Sequence, residues 1–130
     1  MRKLTVHVRP GAYVVLRLPG DAAVPQGVLD AGVDGLVSVS RTRDELSVVC
    51  PAELAVPAPQ TEAGWRLLTV HGPFEFTLTG IMAALSGALA AAGVPLFALS
   101  TFDTDHLLVK DDDLARAVHA LRDAGHEVVE

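Results

Sequence analysis

From Trp65 to Glu130 the apolar residues alternate between a spacing of two and a helical spacing, in an order that few folds accommodate. The run WRLLTV reads as a strand and is followed by the loop HGPFEF. Leu78, Ile81, Met82, Leu85 and Leu89 then form one helical stripe, which must pack on an apolar surface. Thr77 or Thr79 is placed to cap that helix, and Gly93 followed by Pro95 is a stop signal. VPLFALSTF and HLLVK read as a hairpin across Asp103, Thr104 and Asp105. Asp111, Asp112 and Asp113 open a second helix, where unpaired amides favour negative charge, and Leu114, Ala117, Val118 and Leu121 follow at helical spacing. Gly125 closes the helix before a terminal strand, HEVVE. Strand, helix, strand, strand, helix, strand is the order of a ferredoxin-like βαββαβ sandwich, an α+β fold with antiparallel sheets and helices on one face.

The N-terminal half carries the same punctuation in shorter form. LTVHV and YVVLRL read as strands joined at Arg9-Pro10-Gly11, and LVSVS and ELSVV as a hairpin across Arg41 to Asp44, with one short helical piece from Pro25 to Asp30 between them. A shift of 60 residues lays Leu36 on Leu96, Ser40 on Ser100, Val49 on Val109 and Leu54 on Leu114, and places Glu45 on Asp105. The pattern predicts a duplicated βαββαβ unit, abbreviated over residues 1–64 and complete over residues 65–130. Pro51, Pro57 and Pro59 interrupt the helix expected after the first hairpin, so that stretch reads as a linker ending near Gly64. By strand count, LTVHV is assigned as the fourth strand of the first unit.

Composition narrows the function classes. With four Phe, one Tyr and one Trp, and a formal net charge of -6, the chain has few stacking platforms and repels a phosphate backbone, so no nucleic-acid partner is expected. Cys50 is the single cysteine, which excludes an internal disulfide framework and predicts a small apolar packing role. Met1-Arg2-Lys3 leads into an alternating strand rather than a continuous apolar segment, and the apolar helix around Ile81 is too short and too punctuated to span a bilayer. The expectation is a cytoplasmic protein without a membrane partner.

Catalytic and metal signatures are weak. No HxH, HExxH or EF-hand spacing is present, so His71, Asp103, Asp105 and His106 make a metal site only on paper, and no metal or cofactor is expected. His7, His119 and His126 read as surface or strand-end residues. Neither Ser86 nor Ser100 stands in a GxSxG elbow, and Cys50 has no sequence-evident base. The loop HGPFEFTLTG has no arginine to cradle phosphate as an acylphosphatase does, and the central strands lack the exposed aromatics of an RNA-recognition motif. The expectation is that the chain is not an enzyme.

The segment from GPFEFTLTGIMAALSGALAAAG to DDDLARAVHALRDAGHEV resembles the ACT domain of small tandem-ACT proteins, and RLPGDAAVP and GLVSVSRTRDELSVVCP resemble their opening sequence. The group is similar to the ACT modules of the cytosolic arginine sensor of animals and of aspartate kinases. The resemblance implies a regulatory fold that binds amino acids or similar metabolites at interfaces between ACT units, without catalysis, and commonly as a homodimer. The family's glycine at the start of the first helix falls on Gly80. The acidic residue and proline usual before it are replaced by Phe76-Thr77-Leu78-Thr79, which leaves Glu75 as the nearest carboxylate. A helix N-terminus offers amides to a ligand carboxylate, with Thr79 adding a hydroxyl and Ile81 an amide and an apolar wall. Ser100, Thr101, Phe102 and Asp105 complete the expected ligand site, Asp105 pairing with a ligand ammonium or guanidinium. The same residues have a structural reading, in which Gly80 permits tight packing and Asp103 and Asp105 shape the turn. Two functions follow: an amino-acid sensor, or a ligandless dimerisation module.

Overall fold

The computed structural model describes residues 3–30, 34–71 and 80–130. Its strands are β1 (Thr5–Val8), β2 (Tyr13–Pro19), β3 (Ser38–Arg41), β4 (Glu45–Pro51), β5 (Gln60–Val70), β6 (Phe97–Ser100), β7 (Asp105–Lys110) and β8 (Glu127–Val129), and its α-helices are α1 (Ile81–Ala91) and α2 (Leu114–Asp123). Gly11–Trp65 forms one compact unit, and Met1–Pro10 with Arg66–Glu130 forms another.

In the second of these units the strand order is β6-β7-β5-β1-β8. A ferredoxin-like sheet built from β5, α1, β6, β7, α2 and β8 would set β5 beside β8. Here β1 lies between them, antiparallel to β5 with Val6 opposite Val70, and parallel to β8 with Val6 opposite Val128. LTVHV is therefore not the fourth strand of the first half. Inserting one strand antiparallel to β5 leaves β8 in its ordinary direction and makes the β1–β8 pair parallel. Glu127 N–H donates to Leu4 O at 2.9 Å, and Leu4 N–H donates to His126 Nδ1 at 3.1 Å, which ties the start of β1 to the start of β8.

Alternation along these strands decides the core. Val6, Leu68, Val70, Leu107 and Val109 point to one face, where they bury with Leu85 and Leu89 of α1 and Val118 and Leu121 of α2. Each fully buried Leu contributes about 1.5–3 kcal/mol by leaving water. The stripe read from the sequence is the buried one: Ile81, Leu85 and Leu89 in α1, and Ala117, Val118 and Leu121 in α2. Both helices stop at a left-handed glycine. Gly93 has φ 71° and Gly125 φ 96°, and the next residue's amide reaches back to Leu89 O at 2.9 Å and to Leu121 O at 3.1 Å. The triple Asp forms a single 3-10 turn ahead of α2, without a side-chain cap. Asp113 pairs instead with Arg116 at 2.5 Å, and Asp111 with Arg66 at 3.3 Å.

The unit Gly11–Trp65 has the order β3-β4-β2-β5, which is the ferredoxin order with both helices reduced to 3-10 turns, Gln26–Leu29 and Ala52–Leu54. Its fourth strand is the first part of β5, where the sequence reading had a linker: Arg17 pairs with Gln60, Leu16 with Thr61 and Val15 with Glu62. Residues 60–64 are exposed at a sheet edge, so no apolar alternation marks them. The register shifts between Tyr13 and Val15, and Gly64 supplies the φ of 79° at this bulge. Leu16, Leu46, Val48 and Cys50 make the core. Cys50 is fully buried there, and burial raises its thiol pKa, with Glu53 adding to the effect.

The internal repeat is real in topology, but its offset is 59 rather than 60. Arg41 pairs with Leu46 and Ser100 with Asp105. Val48 and Cys50 face their core as Leu107 and Val109 face theirs. A one-residue slip turns every strand side chain to the opposite face, so the identities at 60 align residues that point in opposite directions.

Because His126 Nδ1 accepts from Leu4, its remaining proton sits on Nε2, which is buried without a partner among the described residues. Burial lowers the pKa of His126, and burial followed by the Arg9 charge lowers that of His106. In both cases the unfolded chain binds the proton more readily. Their contribution to stability is complete above about pH 6.5 and is lost as pH falls toward the depressed folded values. We expect the urea midpoint to drop between about pH 7 and pH 5, and His126→Asn to remove part of that slope. An unchanged slope in the variant would exclude His126 as a contributor.

Candidate functional site

The alternation that sends valine and leucine to the helices sends the polar residues to the reverse face. Along β1 and its extension, Leu4 and Val6 are buried in the core and Val8 packs against it, while His7 and Arg9 take the alternate positions. Along β5, Leu68 and Val70 face the core, so Thr69 and His71 face away. His7 lies directly opposite Thr69. Backbone bonds carry the ladder past both strand ends, from Arg9 N–H to Leu67 O and from His71 N–H to Thr5 O, each at 2.8 Å.

These residues and the β6–β7 turn enclose a cleft of about 330 Å³, lined by His7, Arg9, Thr69, Val70, His71, Asp103 and Thr104. The His7 and His71 rings sit 5.8 Å apart, inclined at 52°. Thr104 Oγ1 donates to Val70 O at 2.6 Å and fastens the turn to β5, while Thr101 N–H donates to Thr104 O at 2.9 Å and closes it. Beneath the cleft, His106 is buried with Nδ1 3.1 Å from Thr69 Oγ1 and Nε2 3.5 Å from Thr101 Oγ1. Burial and the Arg9 cation lower its pKa, and Asp105 opposes them. The ring is therefore held neutral at neutral pH.

The cleft keeps its charges available. Arg17, Arg41, Arg66, Arg116 and Arg122 each bond to an acceptor within the chain, whereas the Arg9 guanidinium and the Asp103 carboxylate have no partner among the described residues. A cation, an anion, two imidazoles and a hydroxyl thus converge on one concave surface, an arrangement suited to a small polar molecule. Among the described residues no group of three or more His, Cys, Asp or Glu is arranged to hold a metal ion.

Of the residues singled out from the sequence, Glu75 and Thr79 lie outside the described residues, as do Leu78 and the proposed Thr77 cap. Gly80 precedes α1 with φ 81°, and no side chain among the described residues caps the helix there. Ile81 is buried in the core. Ser100 Oγ donates to Asp105 Oδ1 at 2.5 Å across the hairpin, and Phe102 is 78 % exposed at the turn. Ser100, Thr101 and Asp105 thus build the hairpin that carries Asp103 and Thr104, and the latter two reach the cleft wall. His7, Arg9, Thr69 and His71 were not selected from the sequence. The signal for them was the alternation in TVHVR and LTVH, which places each one opposite a core residue.

The chain belongs to the ACT-domain family. The family model for the ACT domain matches residues 60–123, and a second model, described as an N-terminal domain, matches residues 11–58. A crystallographically determined protein from Agobacterium tumefaciens is 36% identical with a TM-score of 0.88, covering 99% of this chain and 94% of that one. The human cytosolic arginine sensor for mTORC1 subunit 1 is 31% identical over 91 residues, which is 69% of this chain. This chain spans about a quarter of the length of that sensor and its mammalian counterparts, at 27%. The ligand-free regulatory subunit of aspartate kinase from Thermus thermophilus shares the fold at 12% identity, with a TM-score of 0.63 over 92% of this chain and 97% of that subunit.

The Arg9 charge disfavours a second cation on His106, so Arg9→Met should raise the pKa of His106 toward the ordinary imidazole value. Titration of the imidazole resonances by NMR checks this, and no movement would place Arg9 out of electrostatic reach.

Proposed function

We propose that this chain is a regulatory protein that binds an amino acid or a closely related small metabolite and does not transform it. The observation that carries the reading is the cleft, where Arg9 and Asp103 offer opposite charges to a zwitterion. The first amides of α1, beyond Gly80, supply a second set of donors that no side chain caps among the described residues. The hairpin of Ser100, Thr101, Phe102 and Asp105 carries the turn that brings Asp103 to the cleft. The name of the mammalian relative states that it senses arginine in the cytosol, which supports amino-acid binding and a cytoplasmic location for this chain. Ligand binding that favours one arrangement of the turn would change the surface offered to a partner.

A thermal-shift screen against the twenty amino acids and related metabolites tests the reading. A ligand at a hundredfold excess over its Kd should stabilise the native state by about 2.7 kcal/mol. Asp105→Ala should weaken the selective shift while preserving the fold. A shift of undiminished size would exclude the Ser100–Asp105 bond as a support of the site, and silence toward every compound would sink the sensor reading.

One observation favours the dimerisation reading alongside it. No charged residue occurs between Glu75 and Asp103, and the solvent side of α1 consists of Ala83, Gly87, Ala90 and Ala91. A helix whose exposed positions carry only Ala and Gly is suited to burial, and a second copy of the chain is the occupant we assign, as a homodimer. A Cβ at Gly87 would meet no atom within 4 Å, so Gly87→Glu should leave the protomer folded and shift the mass seen by light scattering from dimer to monomer. A wild-type protein that is already monomeric would exclude this assignment.

A further inference from the structure

Resting on the small-molecule reading above, the charge inventory of the cleft selects a ligand class. We propose that the cleft formed by His7, Arg9, Thr69, His71 and Asp103 takes an acidic amino acid, with its α-carboxylate on Arg9, its ammonium on Asp103 and its side-chain acid against the His7–His71 pair. The described walls carry one carboxylate, Asp103, one permanent cation, Arg9, and two imidazoles in ring contact. An α-ammonium uses the single carboxylate. A guanidinium or second ammonium would then face Arg9 and the imidazoles without a counter-charge among the described residues, which disfavours it. An apolar side chain finds no apolar side chain among the described lining residues, because Val70 points into the core. An acid group, by contrast, accepts hydrogen bonds from imidazole N–H groups, and the contact strengthens when a ring is protonated.

Asp103 distinguishes an amino acid from a simple dicarboxylate. It lies at the turn fastened to β5 through Thr104 and makes no bond among the described residues, so an ammonium meets a free carboxylate. The buried Thr69–His106 bond fixes the floor of the cleft and occupies Thr69 from below.

Isothermal titration calorimetry on the full chain, with L-aspartate, L-glutamate, L-asparagine, L-glutamine, L-arginine, L-lysine and glutarate as probes, tests the assignment. L-aspartate or L-glutamate should bind at least about tenfold more tightly than its own amide, L-arginine or L-lysine. Arg9→Met should weaken the acidic ligand by about tenfold or more. His71→Asn should narrow the gap between acid and amide rather than lower both alike, and Asp103→Asn should weaken the amino acid while sparing glutarate. These side chains lie in an open cleft, and an unchanged urea midpoint for each variant confirms that the fold persists. Tighter binding of L-arginine or L-lysine, or an acidic ligand indifferent to Arg9→Met, would overturn the charge assignment and leave the small-molecule reading standing. Silence of these probes alongside a selective hit in the wider screen would overturn the ligand class alone, and silence of both would overturn the two together.

Discussion

The antiparallel ladder between β1 and the second part of β5 is the constraint on which the C-terminal unit depends. It sets Val6 against Val70 on one face and His7 against Thr69 on the other, so core and cleft are two consequences of one register. A slip of one residue would carry the imidazole and hydroxyl into the helix-facing core and expose the valines. The cost of burying unpaired polar groups and the loss of apolar burial both oppose that slip, which fixes the register from both faces. The parallel partner β8 secures the other side of β1 through Leu4, His126 and Glu127. A short strand of four residues can thereby hold a site, because it is bonded on both edges.

Strongly periodic segments were legible in the sequence and weakly patterned ones were not. Ile81, Leu85, Leu89, Ala117, Val118 and Leu121 announced their burial by spacing, and Gly93 and Gly125 announced both helix ends by the conformation they alone adopt easily. Gln60 to Gly64 gave no such signal, since an exposed edge strand has no apolar face to display. The partner of β1 was equally hidden. Strand pairing depends on which apolar faces meet in three dimensions, and LTVHV would suit either unit by propensity. The offset of 60 failed for a related reason: identities count letters, whereas a strand also has a side.

The candidate cleft was legible in part. The hairpin from Ser100 to Asp105 was located correctly, but Asp105 is engaged by Ser100, and Asp103, assigned to the turn, is the carboxylate on the cleft wall. His7, Arg9, Thr69 and His71 come from two strands separated by about sixty residues in sequence, and no motif spacing links them. Antiparallel pairing alone brings them together. The first unit keeps the strand order and loses the α-helices, with Pro51, Pro57 and Pro59 limiting its second crossover to a 3-10 turn. A smaller core results, built on Leu16, Leu46, Val48, Cys50 and Val28.

Arg9 serves the cleft above and acts on His106 below, and that double position links anion binding to protonation. His106 faces Arg9 from β1, Thr69 from β5, Thr101 from the turn and Asp105 on its own strand. Burial and Arg9 oppose the imidazolium, and Asp105 favours it. An anion placed on Arg9 offsets the guanidinium charge and so lowers the cost of protonating His106. By reciprocity, a proton on His106 then favours the anion by the same factor. A neutral ring donates through one nitrogen and accepts through the other, whereas an imidazolium donates through both, to the oxygens of Thr69 and Thr101. Thr101 closes the turn that carries Asp103 and Thr104, so a proton on His106 and a ligand ammonium on Asp103 would both act on the same four-residue turn. On the proposed sensor reading, that turn is where occupancy of the cleft would become a change in the surface of the protein.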